Sequence, residues 1–170
     1  MLHCMLRTDV EHMADLVAYT ERSHRTAHPV PFGASIVEIK TGKTLLRALN
    51  AVAQDYDPSS HAEVRALRLA TKRRKNLSLA GHTLYTTCEP CPMCMSMALW
   101  AGVDRVVYGA TIQQATLHFD QIHISAEEVA QRSDMRCLVV GPILQDECYG
   151  LFLHPAFRKA KARRPRKSNA

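Results

Sequence analysis

The sequence predicts an α/β protein in which one sheet lies between two layers of helices. Segments with helical spacing alternate with short apolar segments, in the order helix, hairpin, helix, strand, helix, strand, strand and helix. Such alternation is typical of a sheet that is covered on both faces, a three-layer α/β/α arrangement. The 170 residues, 46% of them hydrophobic, are enough for one domain with its own core.

The individual elements follow from hydrophobic periodicity and from the turn and cap residues between them. The predicted strands cover residues 31–39, 44–49, 83–87, 103–108 and 136–140. The predicted helices begin at about residues 9, 61, 91, 125 and 143, and the stretch 110–119 has no clear pattern. Thr8 and Ser125 fit capping boxes at two of these helices. Ser59 or Ser60 is the expected N-cap of the helix at residue 61.

Two short segments about thirty residues apart carry the candidate chemistry. The residues 61–63 and 90–94 read H-x-E followed by P-C-x-x-C, which is the signature of zinc-dependent base deaminases. A catalytic zinc takes three protein ligands and leaves one position to water. His61, Cys91 and Cys94 supply three ligands for one Zn²⁺ per chain. Glu63 is then left as a carboxylate beside the metal.

The residue types suit hydrolysis. Zinc lowers the pKa of bound water to roughly 7, so hydroxide is available at neutral pH. Glu63 can take the water proton and pass it to a ring nitrogen and then to the leaving amine. Cys91 and Cys94 lie one turn apart at a helix N-terminus, which favours thiolates. The alternative is a closed structural zinc site with Cys88 or His82 as fourth ligand.

Basic residues concentrate at the end of the chain. Seven lysines and arginines and no acidic residue occur between residues 158 and 170, which leaves the rest close to neutral. Residues 1–157 are therefore predicted to form a single domain and residues 158–170 a basic, flexible tail. Such a tail is either a solvated terminus or a segment that contacts RNA.

Compartment and membrane association are also constrained. No apolar run approaches the ~18 residues of a membrane helix. The apolar start at residues 1–6 is too short for a signal peptide. The six cysteines lack the spacing of a disulfide framework, and a metal-binding dithiol fits a reducing compartment. We therefore expect a cytoplasmic protein with no membrane partner.

Four further residues near the motifs each have two interpretations. Phe32 could stack on a flat ring or be a core aromatic. Asn50 offers a donor and an acceptor, so it could bind a base edge or occupy an ordinary turn. Trp100 could line a pocket or belong to the core. Gly33 marks a close approach of the backbone, either to a ligand or to another element.

The sequence resembles the cytidine deaminase-like superfamily over three segments, residues 31–34, 61–64 and 87–94. Within that superfamily it is most similar to the small bacterial guanine deaminases and to the tRNA adenosine deaminases. The resemblance implies a cytidine deaminase-like fold with a five-stranded mixed sheet and a homodimer or larger oligomer. It also implies hydrolytic deamination of an aminated nucleobase or related heterocycle, guanine first, with release of ammonia.

Roles for the residues that pattern leaves open also come from this resemblance. Phe32 is expected to stack on the substrate ring and Asn50 to bind the base edge. The backbone N–H of Ala62 is expected to contact the base as well. Trp100 matches a tryptophan of the guanine deaminases and is assigned to the substrate site with them.

Two departures bear on the substrate. Small guanine deaminases carry two acidic residues after a Phe, whereas Phe119 and Asp120 are followed here by Gln121. A further acidic residue of those enzymes has no equivalent around Gly141 and Pro142. Residues 141–148 and the basic end are more similar to the tRNA adenosine deaminases, which read a flipped base in a single-stranded loop.

Two other hypotheses therefore stand beside deamination of a free base. The second is conversion of adenosine to inosine in tRNA. The third, from a different class, is a non-catalytic module that zinc stabilises.

Overall fold

The computed structural model describes residues 7–162 and contains a five-stranded mixed sheet. Its strands are β1 Gly33–Glu38, β2 Thr44–Leu49, β3 His82–Cys88, β4 Arg105–Ala110 and β5 Leu138–Val140. In space they follow the order β2-β1-β3-β4-β5. Strand β1 is antiparallel to β2 and β3, whereas β3, β4 and β5 are parallel. The predicted strands all occur, with ends shifted by at most two residues.

Helices cover both faces of this sheet. They are α1 Asp9–Glu21, α2 Val52–Asp55, α3 Ala62–Arg74, α4 Pro92–Trp100, α5 Ile112–Thr116, α6 Ala126–Gln131, α7 Gln145–Leu153 and α8 Pro155–Ala162. Helices α1 and α7 pack on one face of the sheet, and α3, α4 and α6 pack on the other. The prediction of a three-layer α/β/α fold is confirmed.

Side-chain caps explain where several helices begin. Thr8 and Glu11 form the predicted capping box, because the Thr8 hydroxyl accepts from the Glu11 N–H and the Glu11 carboxylate accepts from the Thr8 N–H. The Ser125 hydroxyl caps α6 as predicted. A further capping box, between Thr111 and Gln114, starts α5 within the stretch that the sequence left unassigned.

The predicted N-cap of α3 is wrong. His61 occupies that position, with extended backbone angles and no side-chain capping bond. The hydroxyl of Ser60 donates to Asp55 at 2.8 Å, and that of Ser59 donates to Asp57 at 2.7 Å. Both serines are therefore used to shape the preceding loop, which leaves the helix start to a histidine.

The end of the chain also differs from the prediction. A flexible tail was predicted from residue 158, but α8 runs from Pro155 to Ala162 and so crosses the predicted boundary between domain and tail. Proline is tolerated at the first position of a helix, and Phe157 of α8 is buried. Residues 1–6 and 163–170 lie outside the described residues. No helix among residues 7–162 is long and apolar enough to cross a membrane.

Gly33 has a packing role. A Cβ atom at this position would lie 2.0 Å from the Thr20 hydroxyl of α1. The close approach that the sequence predicted is therefore between β1 and α1, and a side chain at Gly33 would displace the Thr20 hydroxyl, which donates to the Leu16 carbonyl oxygen.

Candidate active site

One edge of the sheet collects the segments that carry the motifs. The carboxyl ends of β3 and β4 meet there, where Cys88 pairs with Ala110. Because β1 is antiparallel to β2 and β3, the start of β1 and the end of β2 reach the same edge, where Gly33 pairs with Leu49. Helices α3 and α4 begin beside this edge. Such crevices at the carboxyl ends of strands are where open α/β sheets bind ligands.

Three predicted metal ligands lie close together at this edge. The Nδ1 atom of His61 is 3.4 Å from the Cys94 sulfur and 3.8 Å from the Cys91 sulfur, and all three atoms lie within 4.8 Å of one another. Tetrahedral zinc places a nitrogen and a sulfur ligand about 3.6 Å apart. The donor atoms therefore fit one zinc ion. Within residues 7–162, no other group of three His, Cys, Asp or Glu side chains meets this condition.

Helix starts position these ligands. His61 is the N-cap residue of α3 and Cys91 is the N-cap residue of α4, both with extended backbone angles. Neither side chain makes a capping hydrogen bond to its own helix. Cys94 lies one turn later on α4 and is fully buried. Two helices that begin at the same edge thus direct their ligands to one point.

The pKa values of the two thiols are shifted in opposite directions. The hydrogen bond from Cys94, followed by that with His61, lowers the pKa of Cys91 to about 4. The same hydrogen bond and burial raise the pKa of Cys94 far above its ordinary value. The contact with Cys91 raises the pKa of His61. One thiolate is therefore ready at neutral pH, and a metal ion would displace the proton from the other.

Glu63 is the carboxyl group of the H-x-E motif and follows the ligand His61 by two residues. It lies in the first turn of α3, is 6% exposed and lines the pocket described below. Burial raises the pKa of Glu63 to about 6, and a divalent cation beside it acts in the opposite direction. A carboxyl group whose pKa lies near neutrality can both accept and donate a proton.

A pocket of about 250 Å³ opens over these groups. We call its metal-side surface the inner wall; it consists of His61, Glu63, Cys88, Glu89 and Cys91. We call the surface from the later part of the chain the outer wall; it consists of Phe119, Asp120, Gln121, Phe157, Ala160 and Lys161. We call the remaining lining residues the rim; they are Pro29, Val30, Pro31, Phe32, Asn50 and Val52.

The structure brings Phe32 and Asn50 to the rim of the pocket. The Phe32 ring packs against Phe119 and Phe152, with centroids 5.3 and 5.2 Å away, so this residue is a core aromatic that also faces the pocket. The side-chain oxygen of Asn50 accepts from the Val52 N–H at 3.3 Å. Asn50 is therefore a turn residue that also lines the pocket, and its contact with a base edge stays a prediction.

Ala62 and Trp100 do not line the pocket. Ala62 is buried at the first position of α3, where helix geometry provides no intrahelical acceptor for its N–H. Trp100 lies at the last turn of α4, about 12 Å along the helix from Pro92. Its side chain is 77% exposed, so it belongs neither to the core nor to the pocket of its own chain.

The sequence pattern did not predict that the outer-wall residues form one surface. Phe157, Ala160 and Lys161 are spaced i, i+3 and i+4, which is the spacing of one helix face. This helical pattern was not recognised because residues 158–170 were predicted to form a flexible tail. Lys161 donates to the carbonyl oxygen of His118 and lies 4.8 Å from the centre of the Phe119 ring. The last helix is thereby attached to the loop that follows α5.

A fourth protein ligand is not supplied by either candidate. His82 begins β3 and therefore lies about 20 Å along the strand from Cys88. Its ring contacts the carbonyl oxygens of Leu79 and Ala80. Cys88 lines the pocket but is not part of the metal-ligand group, and burial raises the pKa of its thiol. The described residues thus match the three-ligand arrangement of catalytic zinc sites.

Comparison with known proteins identifies the family. The model of the cytidine and deoxycytidylate deaminase zinc-binding region matches residues 6–110. The chain belongs to this family. It is therefore a zinc-dependent deaminase, which hydrolyses the bond between a ring carbon and an amino group, and the expected resemblance is confirmed.

Members of the deaminase family with different substrates match this chain. A probable cytosine deaminase of Schizosaccharomyces pombe is 33% identical over 123 residues, 69% of this chain and 74% of the relative. Guanine deaminase of Bacillus subtilis is 45% identical over 80 residues, 47% of this chain and 50% of the relative. The tRNA-specific adenosine deaminase of Bacillus subtilis is 33% identical over 138 residues, 79% of this chain and 83% of the relative.

A solved deaminase structure supports the fold. Guanine deaminase from Nitrosomonas europaea superposes with a TM-score of 0.77 over 92% of this chain and 86% of that one, at 22% identity.

Proposed function

We propose that this deaminase acts on a free aminated nucleobase or a related heterocycle, with guanine as the first candidate. The observation that carries the proposal is that Glu63 and two of the three metal ligands, His61 and Cys91, line a small pocket whose wall also includes phenylalanine rings. Its volume of about 250 Å³ is below the range of roughly 300–1,000 Å³ for drug-sized ligands. A single heterocycle suits such a space.

Each residue has a defined task in this reaction. His61, Cys91 and Cys94 would hold zinc, which supplies an activated water when bound. Glu63 accepts one proton of the attacking water and passes it to a ring nitrogen, and then carries the second water proton to the leaving amine, so that ammonia departs and a carbonyl remains. Phe32 supports one ring face from the rim, where Asn50 offers an amide to the base edge.

Guanine is favoured by the polar groups of the outer wall. Asp120 and Gln121 both line the pocket, and their side-chain oxygens can accept from an exocyclic amino group such as that of guanine. Gln121 stands where small guanine deaminases carry an acidic residue, so it provides an acceptor without the charge. The 45% identity with a guanine deaminase supports the same choice.

Ammonia release by the zinc-loaded protein tests the substrate. Guanine, cytosine and adenine are offered separately at equal concentrations, and the proposal expects the highest kcat/KM for guanine. Turnover of cytosine alone would reject guanine and keep the zinc chemistry. Failure with all three bases would reject all three as substrates and direct the search to triazines and tRNA.

A second candidate is deamination of adenosine in tRNA. The relative with this function covers 79% of the chain, and Arg158 and Lys159 are exposed on α8, close in sequence to the outer-wall residue Lys161. Removal of residues 158–170 would also remove Ala160 and Lys161 from the pocket, so truncation after Ala162 is the cleaner variant. RNA contact predicts that this truncation weakens tRNA binding and reduces its salt dependence. Absence of tRNA binding at low salt in the full chain would exclude this candidate.

We also propose that the protein is a cytoplasmic homodimer. Met93 and Trp100 are seven residues apart on α4, which places them on the same helix face, and they are 38% and 77% exposed. An exposed tryptophan with an apolar neighbour is typical of an interaction surface. A Trp100→Glu variant should shift sedimentation toward the monomer, and a wild-type protein that is monomeric at micromolar concentration would contradict the proposal.

A further inference from the structure

Glu89 lies between the metal ligands and the parallel strands. It directly follows Cys88 at the end of β3 and precedes Cys91 by two residues. Its side chain is buried, with 8% of the residue exposed, and it lines the inner wall. Its backbone N–H donates to the carbonyl oxygen of Ala110 at 2.7 Å. A buried carboxyl group at this place needs hydrogen-bond donors around it.

The donors are two backbone N–H groups from different helices. One carboxyl oxygen of Glu89 accepts from Ile112 at 3.1 Å, and the other accepts from Ala126 at 3.0 Å. These are the first residues of α5 and α6, and the first N–H groups of a helix have no intrahelical acceptor. The caps Thr111 and Ser125 bond to later N–H groups of the same helices, so Glu89 does not duplicate them.

The two bonded residues enclose part of the outer wall. The segment between Ile112 and Ala126 contains Phe119, Asp120 and Gln121, and both of its ends are held by the same carboxyl group. Glu89 is also joined through two peptide units to Cys91. One side chain therefore connects the loop part of the outer wall to the segment that carries the metal ligand Cys91.

We propose that Glu89 is a positioning residue that sets the distance between the outer wall and the metal centre, and so controls how tightly the substrate is held. The inference relies on the proposed function, because it takes this pocket as the substrate site. Glu89 acts on substrate binding, whereas Glu63 transfers the proton and the three ligands hold zinc.

The variant Glu89→Gln tests this role with little change in size. Glutamine keeps one acceptor oxygen, but its NH₂ group faces an N–H from which it cannot accept. Loss of a hydrogen bond to a charged group predicts a rise in KM of about tenfold, with kcat changed less than about threefold and one zinc retained per chain. Glu127→Gln is the matched control, because Glu127 is an exposed α6 residue that accepts from Gln131, and its KM should not change.

Hydrogen exchange gives a second measurement that needs no substrate. In Glu89→Gln, the amides of α5 and of Phe119 should exchange about tenfold faster than in the wild type, while those of β1 keep their rates. This readout remains valid if guanine proves to be the wrong base, so failure of the proposed function and failure of the inference are distinguishable. A Glu89→Gln protein with unchanged exchange and unchanged KM would overturn the proposal, as would loss of zinc or kcat alone.

A second variant covers the case in which Glu89→Gln does not fold. Ser125→Ala keeps Glu89 but removes the hydroxyl that accepts from the Glu128 N–H, so it loosens the start of α6, the helix whose first N–H donates to Glu89. It should raise KM and speed exchange of the α6 amides in the same direction, with zinc unchanged. Equal KM and equal exchange in Ser125→Ala and wild type would reject the positioning role.

Discussion

The inner and outer walls of the pocket are built in different ways. The inner wall comes from the starts of two helices, the end of β3 and the turn that follows it, and its ligands His61 and Cys91 contact each other at 3.8 Å. The outer wall comes from a loop and from α8, both later in the chain. Its members pack through aromatic contacts, such as that of Phe119 with Phe157 at 5.8 Å between centroids, and the ends of its loop are bonded to Glu89.

We expect this difference to separate chemistry from selectivity. The family match ends at residue 110, so it includes the metal ligands and Glu63 and stops before the first outer-wall residue, Phe119. Relatives named for cytosine, guanine and tRNA adenosine match the same chain. A common inner wall can serve one reaction while the outer wall selects the base.

The largest expected effect belongs to the inner wall. Glu63→Gln should lower kcat by about 10³-fold, because the amide can no longer take and return the proton. Zinc content should stay at one per chain, since Glu63 is not among the ligands. Steady-state ammonia release and metal analysis of the same sample check both points. An active, zinc-replete Glu63→Gln protein would show that the proton passes through another group.

Removal of an outer-wall aromatic should affect stability and substrate binding together. Phe157 is 5% exposed and packs on Phe119 and Phe152, so Phe157→Ala should lower the free energy of unfolding by about 3 kcal/mol. KM should rise while zinc binding persists. Leu153→Ala is the control, because Leu153 is 46% exposed and should cost less than about 1 kcal/mol. A fall in kcat at unchanged KM would contradict the division between the walls.

A charge on the outer wall should change which base is preferred. Gln121→Glu offers a carboxylate to an exocyclic amino group and should raise kcat/KM for guanine relative to cytosine by about tenfold. Gln113→Glu makes the same charge change at an exposed position of α5 and should leave the ratio unchanged. Equal guanine-to-cytosine ratios of kcat/KM in the wild type, Gln121→Glu and Gln113→Glu would show that Gln121 does not determine base selectivity.

The smallest expected effect is that of substituting Asp9 of α1, which belongs to neither wall. Burial opposes ionisation of this carboxyl group, but the bonds from Arg105 at 2.8 Å and Tyr85 at 2.6 Å outweigh it and lower its pKa. Asp9→Asn should lower the free energy of unfolding by about 1 kcal/mol at pH 7, since the site is partly exposed.

The pH dependence of the Asp9 effect has a definite sign. A group whose pKa is lower in the folded state stabilises the fold above the unfolded-state value of about 3.9 and loses that contribution as pH falls through the folded-state value. The difference between Asp9→Asn and wild type should therefore shrink below about pH 4. Urea unfolding at pH 7 and pH 3 measures it, with exposed Asp134→Asn as control. A change in base preference for Asp9→Asn would contradict the assignment of selectivity to the outer wall.

The metal site was predictable because short motifs placed its ligands at helix starts. His61, Cys91 and Cys94 required two motifs and the rule that the carboxyl ends of strands share an edge. The cap of α3 was not predictable, since Ser59 and Ser60 are better capping residues in isolation. Their hydroxyls bond instead to carboxylates of the preceding loop, a competition that only tertiary structure resolves.

The outer wall could not be predicted from the sequence for a different reason. Pro155 interrupts the helical pattern, although proline also fits the first turn of a new helix. Phe157 meets Phe119 across 38 positions of sequence, and no local pattern links them. Trp100 illustrates the opposite error, because a matched residue type did not bring its side chain to the pocket of its own chain.

The use of His61 and Cys91 as N-cap residues has a consequence for engineering. Serine or aspartate at either position would be the choice of any scheme that improves helix starts, and each would offer the capping bond that neither ligand makes. The same change would remove a metal donor. A substitution that raises thermostability at either position would therefore lower turnover. Variant libraries should hold both residues fixed.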